Sequence, residues 1–283
     1  MIRHSRMNPA VMIGVLVAGL QFSGCRPDAD SPQVLLARGK VFNARSSSQE
    51  AIESLTRAIE RDPACSECFY ERAVAHEQAS TVDPAISDYA AAIKLNPKYL
   101  QALNNHAALL AKSGRYDEAA AGFSTVIALE PKNGLAYRNR GLAYHDLGRI
   151  QEALADFDRA IQLEPASATP WFLKGNVQLD AGLHQEAVAS FSAALKLEPL
   201  NANAWKNRGA AHLALNHTEE AAADARRARD LDPGLVIEAE PDGAGKAAAP
   251  APDASSPPPV LPEPPVTSPT EANCSAEDGL AET

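Results

Sequence analysis

Cys65 and Cys68 stand in the run Cys-Ser-Glu-Cys, the tightest grouping of reactive side chains in the sequence. Two thiols at that spacing can close a disulfide, cycle as a redox pair, or give half of a metal site. A thiol at a helix N-terminus also ionises more easily, which dithiol chemistry needs. That chemistry expects a strand leading into the helix, and nothing here carries strand patterning. A structural disulfide fits this setting best; redox activity and metal binding remain as alternatives. The other two cysteines, Cys25 and Cys274, lie towards the two ends of the chain.

The seven histidines show no ligand spacing. His145 followed by Asp146 could face a groove, but the pair has no nucleophile or metal partner beside it. HExxH, a phosphate-cradling glycine loop and GxSxG are all missing from the sequence. The sequence therefore points to no catalytic residue, no metal site and no cofactor, and reads as a non-enzyme.

Of the 283 residues 45% are apolar but only 5% aromatic, and alanine fills the difference. Alanine costs least in a helix and lets helices approach closely. A collagen-like fibre, a small disulfide scaffold and a sheet-rich barrel all fit poorly. The net charge of −10 lacks the clustered basic footprint of a nucleic-acid binder. Much of the acidity sits in residues 236–283, where nine acidic residues face one lysine.

Prolines recur at 63, 97, 131, 165, 199 and 233, each 34 residues from the last. With Pro as position 32, six units run 32–65, 66–99, 100–133, 134–167, 168–201 and 202–235. Position 20 is Ala in all six; position 27 is Ala in five and Val126 in one. Position 8 is Gly or Ala, and position 24 is large in five units. Large residues at positions 4, 11 and 24 should face small ones at 8, 20 and 27. His76 and His212 fall at position 11 and read as half-buried core histidines. Gly114, Gly148 and Gly182, at position 15, suit a left-handed helix end. No single unit can bury its own apolar face, so the units must stack.

This pattern resembles the tetratricopeptide repeat over residues 32–235. The resemblance implies an all-α, right-handed superhelical solenoid of helix–turn–helix units. Asp224, Arg226, Arg227 and Arg229 make the last helix polar, as a capping lid should be. Beyond it, residues 236–283 carry ten prolines between 241 and 269 and read as a disordered acidic tail.

At the other end, Arg3, His4 and Arg6 precede an uncharged run of eleven residues, 10–20. That run is too short to span a bilayer and suits an export signal. Phe22-Ser23-Gly24-Cys25 resembles the bacterial lipobox, with Phe22 where Leu is usual. The resemblance implies a signal peptide at 1–24, lipid attachment at Cys25 and a linker at 25–31. It also implies a periplasm-facing protein of the bacterial envelope. Arg26 after the cysteine favours the outer membrane over the inner.

In tetratricopeptide arrays the first helix of each unit, helix A, lines a concave groove. The resemblance places a partner-binding site at Tyr70, Asn104, Asn105, Arg138, Asn139, Phe172, Asn176, Lys206 and Asn207. Asn105, Asn139 and Asn207 at position 6 are similar to the asparagine ladder with which some arrays grip a peptide backbone. Asn176 and Asn207 match part of a carboxylate clamp, but Phe172 stands where that clamp needs lysine. Tyr70 and Phe172 would act as apolar anchors, with Arg138 and Lys206 as cations. The implied function is a protein–protein scaffold or adaptor, anchored by lipid, that holds a peptide or helix of some acidic character. The rival is an exported redox or metal-dependent factor working through Cys65 and Cys68. The sequence leaves the oligomeric state open.

Overall fold

A computed structural model describes residues 30–237. The export signal, Cys25, Cys274 and the acidic tail from residue 238 onward lie outside the described residues.

Each 34-residue unit folds as two antiparallel helices, A and B. In chain order they are α1 (Pro32–Ala44), α2 (Ser48–Arg61), α3 (Ser66–Gln78), α4 (Val82–Leu95), α5 (Leu100–Lys112), α6 (Tyr116–Leu129), α7 (Gly134–Asp146), α8 (Ile150–Leu163), α9 (Thr169–Asp180), α10 (His184–Leu197), α11 (Ala202–Ala214) and α12 (Thr218–Leu231). The described residues contain no strand. None of the described helices is long and apolar enough to cross a membrane. Every helix packs on its sequence neighbours. Helices A also meet one another, α1 with α3, α5 with α7, α7 with α9 and α9 with α11. Helices A thus form one layer of an all-α solenoid and helices B the other.

Local chemistry sets the helix ends. Asn133 and Asn201 cap α7 and α11, their side-chain oxygens accepting the amides of Ala136 and Ala204 at 2.9 and 3.0 Å. All six residues at position 15 are left-handed. Gly114, Gly148 and Gly182 have φ of 76°, 72° and 74°, and Ser46, Ser80 and Asn216 have 57°, 59° and 62°. That geometry turns the chain so that the next amide reaches back. Arg149 N–H, for example, donates to the Tyr144 carbonyl at 2.8 Å.

The core follows the small-against-large pattern. Position 27 is buried in every unit, from Ala58 to Ala228. Leu55, Tyr89, Phe123, Phe157 and Phe191 at position 24 are at most 1% exposed. Their rings fill space that helix A leaves open: a Cβ on Gly175 would stand 2.7 Å from Phe191 Cε1. Position 4 keeps the expected core role in Leu35 and Leu103 and departs from it in the other four units. Phe69, Tyr137, Trp171 and Trp205 are only half-buried. Each instead carries a position-7 cation, 4.7–5.9 Å from the ring centroid: Arg72, Arg140, Lys174 and Arg208.

Three of those arginines reach further. Arg72, Arg140 and Arg208 each clasp an aspartate of their own unit through two bonds of 2.7–2.8 Å: Asp88, Asp156 and Asp224. Each also donates to a hydroxyl on the preceding helix B: Thr56, Ser124 and Ser192. The aspartates are 4–6% exposed. Asp224 therefore belongs to the interior and not to the polar lid, which is left to Arg226, Arg227 and their neighbours. These clasps occur in units 2, 4 and 6 only, so the structural period is 68 residues.

Candidate functional site

On α7, residues 138, 142 and 145 fall on one stripe of the helix, as do 172, 176 and 179 on α9. Between α7, α9 and α11 this layer opens into a hollow of about 320 Å³. Leu142, Leu173, Val177 and Leu179 give it an apolar lining; Asn176, Asn207, His145 and Asp180 supply the polar groups. His145 Nε2 lies 3.1 Å from Asp180 Oδ2, joining α7 to α9. Asn207 Nδ2 donates to Asn176 Oδ1 at 2.8 Å, joining α11 to α9. One amide N–H₂ and one amide oxygen of that pair are left for a ligand, the combination a peptide backbone can use.

The expected site residues divide into three groups. Arg138, Asn139 and Lys206 are half-buried and make no hydrogen bond or ion pair among the described residues. Asn176 and Asn207 line the hollow itself. The remaining four are already engaged. Tyr70 packs on Tyr89 and Tyr99, with ring centroids 5.8 and 5.0 Å apart. Asn105 donates to the Tyr70 and Tyr89 hydroxyls. Asn104 turns back on its own helix, donating to the Leu100 carbonyl at 3.0 Å. Phe172 packs against Phe191 and the small residues Ala187 and Ala211. Tyr70 and Phe172 are therefore parts of the inter-unit core that show one edge, because position 5 is covered by neighbouring helices.

Electrostatics differ along the groove. Around Tyr70 the carboxylates of Glu67, Glu71 and Glu77 gather. Burial, with the Glu67 and Glu71 charges adding to it, pushes the Tyr99 hydroxyl up to about 12. Burial raises Tyr70 and Tyr89 as well, so all three phenols are neutral at ordinary pH. Lys40 pairs with Glu67, and Lys112 with Glu77 at 3.7 Å.

Sequence reading missed Leu142, Leu173, Leu179 and the His145–Asp180 link. The signal was present: three leucines occupy positions 9, 6 and 12, which face the groove in this kind of repeat. Cys65 and Cys68 are joined as a disulfide across the first turn of α3. Cys65 also caps that helix, its sulfur accepting the Cys68 amide at 3.1 Å, and Cys68 is fully buried beside Leu35 and Ala58. Among the described residues no three metal-ligating side chains come together.

Residues 36–99, 104–168 and 172–236 match the tetratricopeptide repeat model, well over half of the chain. The chain belongs to the tetratricopeptide repeat family. Each matched segment spans two repeats, the same unit in which the arginine clasps recur. No curated protein matches the sequence. Solved tetratricopeptide structures share the fold. PilF of Pseudomonas aeruginosa is 18% identical with a TM-score of 0.58, over 72% of this chain and 93% of that one. MamA of Desulfovibrio magneticus RS-1, from residue 41 to its end, is 21% identical with a TM-score of 0.57, over 60% and 96%. YrrB, a tetratricopeptide protein with an unusual peptide-binding site, is 22% identical with a TM-score of 0.55, over 66% and 96%.

Proposed function

We propose that this protein is a non-catalytic adaptor that holds a peptide or helix of a partner protein in the groove formed by its A helices. It is exported, anchored by lipid on Cys25, and works in the bacterial envelope facing the periplasm. The observation that carries the binding role is the hollow between α7, α9 and α11. It combines an open apolar lining with amide groups that still have bonding capacity. Sites of this composition bury an apolar side chain and fix orientation with a few polar groups. Arg138 and Lys206 stand near it without ion partners, which suits a ligand of acidic character. The peptide-binding site of YrrB supports the same use of this fold. Support for the anchor is the lipobox resemblance at 22–25 alone.

Two experiments test the proposal. A photo-crosslinking residue at Leu173, in living cells, should trap a protein partner, and the same residue at Arg159 on the outer helix α8 should not. Equal trapping at both sites would sink the groove reading. Mass spectrometry of the mature N-terminus should find an acylated Cys25, and an unmodified start elsewhere would end the lipoprotein reading.

A further inference from the structure

Helix A positions 2, 5 and 6 form the N-terminal edge of the groove. Charge along this edge is not mixed. Repeat 2 carries Glu67 and Glu71 on α3; repeats 4 and 6 carry Arg138 on α7 and Lys206 on α11. Lys40 pairs with Glu67. Glu71 accepts the Asn43 amide at 2.8 Å and meets no cation among the described residues. Tyr70 and Tyr99 pack beside it, their rings tilted by 38° with centroids 5.0 Å apart. A carboxylate without a cation of its own attracts one by charge, and the ring edges beside it give apolar contact to the methylene stem of a lysine or arginine. On the opposite edge, Glu77 pairs with Lys112, Asp180 lies against the His145 ring, and Asp146 is exposed at the end of α7.

Resting on the groove reading above, we infer that this edge reads a charge-polarised segment of the partner. A lysine or arginine pairs with Glu71, its stem lying against the edges of Tyr70 and Tyr99. An aliphatic side chain enters the hollow lined by Leu142, Leu173 and Leu179. Acidic residues meet Arg138 and Lys206. Packed helices stand about 10 Å apart, so α3 and α7, two A helices apart, are separated by roughly 20 Å. An extended chain covers about 3.4 Å per residue, which places the basic residue about six residues from the nearer acidic one. The sign of each contact also fixes the direction in which the segment lies along the repeats.

The probe is a displayed library of random sixteen-residue peptides, selected on the full-length chain in detergent. Enriched sequences should carry Lys or Arg about six residues from Asp or Glu, with an aliphatic residue beyond. The best peptide is then titrated by fluorescence anisotropy against four proteins whose melts confirm folding: wild type, Glu71→Gln, Glu71→Arg and Arg138→Gln. Glu71→Gln should weaken binding about fivefold, the scale of one lost charge pair. Selection on Glu71→Arg should replace the basic residue by an acidic one. If enriched peptides lack the basic residue, or Glu71→Gln binds as wild type while Arg138→Gln does not, the polarity inference fails and the groove stands. If nothing is enriched, or binding ignores every inner-face variant, the groove reading fails and the inference with it.

Discussion

Consider replacing Asp156 by alanine. Arg140 then loses two bonds, Nε to Oδ2 at 2.8 Å and Nη2 to Oδ1 at 2.7 Å, and keeps only the Ser124 hydroxyl at 3.0 Å. Its side chain is 19% exposed and that of Asp156 7%. Stranding a buried cation costs about 3–5 kcal/mol. Some water reaches this guanidinium, and Tyr137 and Tyr144 flank it at 5.6 Å, so the low end applies, about 3 kcal/mol. An array of this size loses about 2–4 °C per kcal/mol, so the melting temperature should fall roughly 6–12 °C. Asp158→Ala is the matched control. It breaks the pair with Lys174, whose aspartate is 52% exposed, and should cost at most about 1 kcal/mol. Replacing Arg140 by Met and Asp156 by Leu together removes both charges and should recover most of the loss. Far-UV circular dichroism in heat and in urea reads all three. If Asp156→Ala melts like Asp158→Ala, the clasps do not hold the two helices of a repeat together.

Three further outcomes follow from the same structure. Ser46, Ser80 and Asn216 hold left-handed backbone that glycine adopts freely, so Ser80→Gly should raise stability by about 0.5–1 kcal/mol, and Gly148→Ala should lower it by about 1; urea midpoints check both. Burial lowers His76, His106 and His212 below their usual 6.5. As pH falls the unfolded chain takes those protons first, so stability should hold above about pH 6.5 and decline below it. His106→Gln should flatten that decline, and an unchanged slope would contradict it. The Cys65–Cys68 bond closes a four-residue ring, for which chain entropy gives about 2 kcal/mol. Reductant should lower the melting temperature of the wild type and leave Cys65→Ser/Cys68→Ser unaffected.

Much of the fold was legible because its rules are local. The prolines, the position-15 glycines and the invariant alanine at position 20 each act within one repeat, where a 34-residue frame shows them. The arginine clasps escaped that frame. Position 7 alternates Arg38, Arg72, His106, Arg140, Lys174 and Arg208, and position 23 alternates Ser54, Asp88, Gly122, Asp156, Ser190 and Asp224. Read as single columns these look variable; read as pairs at 68 residues they are regular. The site was less legible. Tyr70 and Phe172 stand at groove positions, but how much of each ring a neighbouring repeat covers depends on packing between units. Leu142 and Leu173 were visible as apolar residues at groove positions, yet only the approach of α7, α9 and α11 makes a hollow of them.

The central claim is that the partner is held on the inner face. It is tested most directly by titrating the crosslinked partner against wild type, Arg138→Glu, Lys206→Glu, Phe172→Ala and Arg159→Glu. Charge reversal at Arg138 or Lys206 should weaken binding and reduce its salt dependence, since exposed charge contacts are screened by salt. Phe172→Ala should weaken binding as well, because its ring packs α9 onto Phe191 of α10 and Ala211 of α11. Arg159→Glu, on the outer layer, should bind as wild type. Binding lost in Arg159→Glu and intact in the three inner-face variants would contradict the account and place the working surface on the B helices.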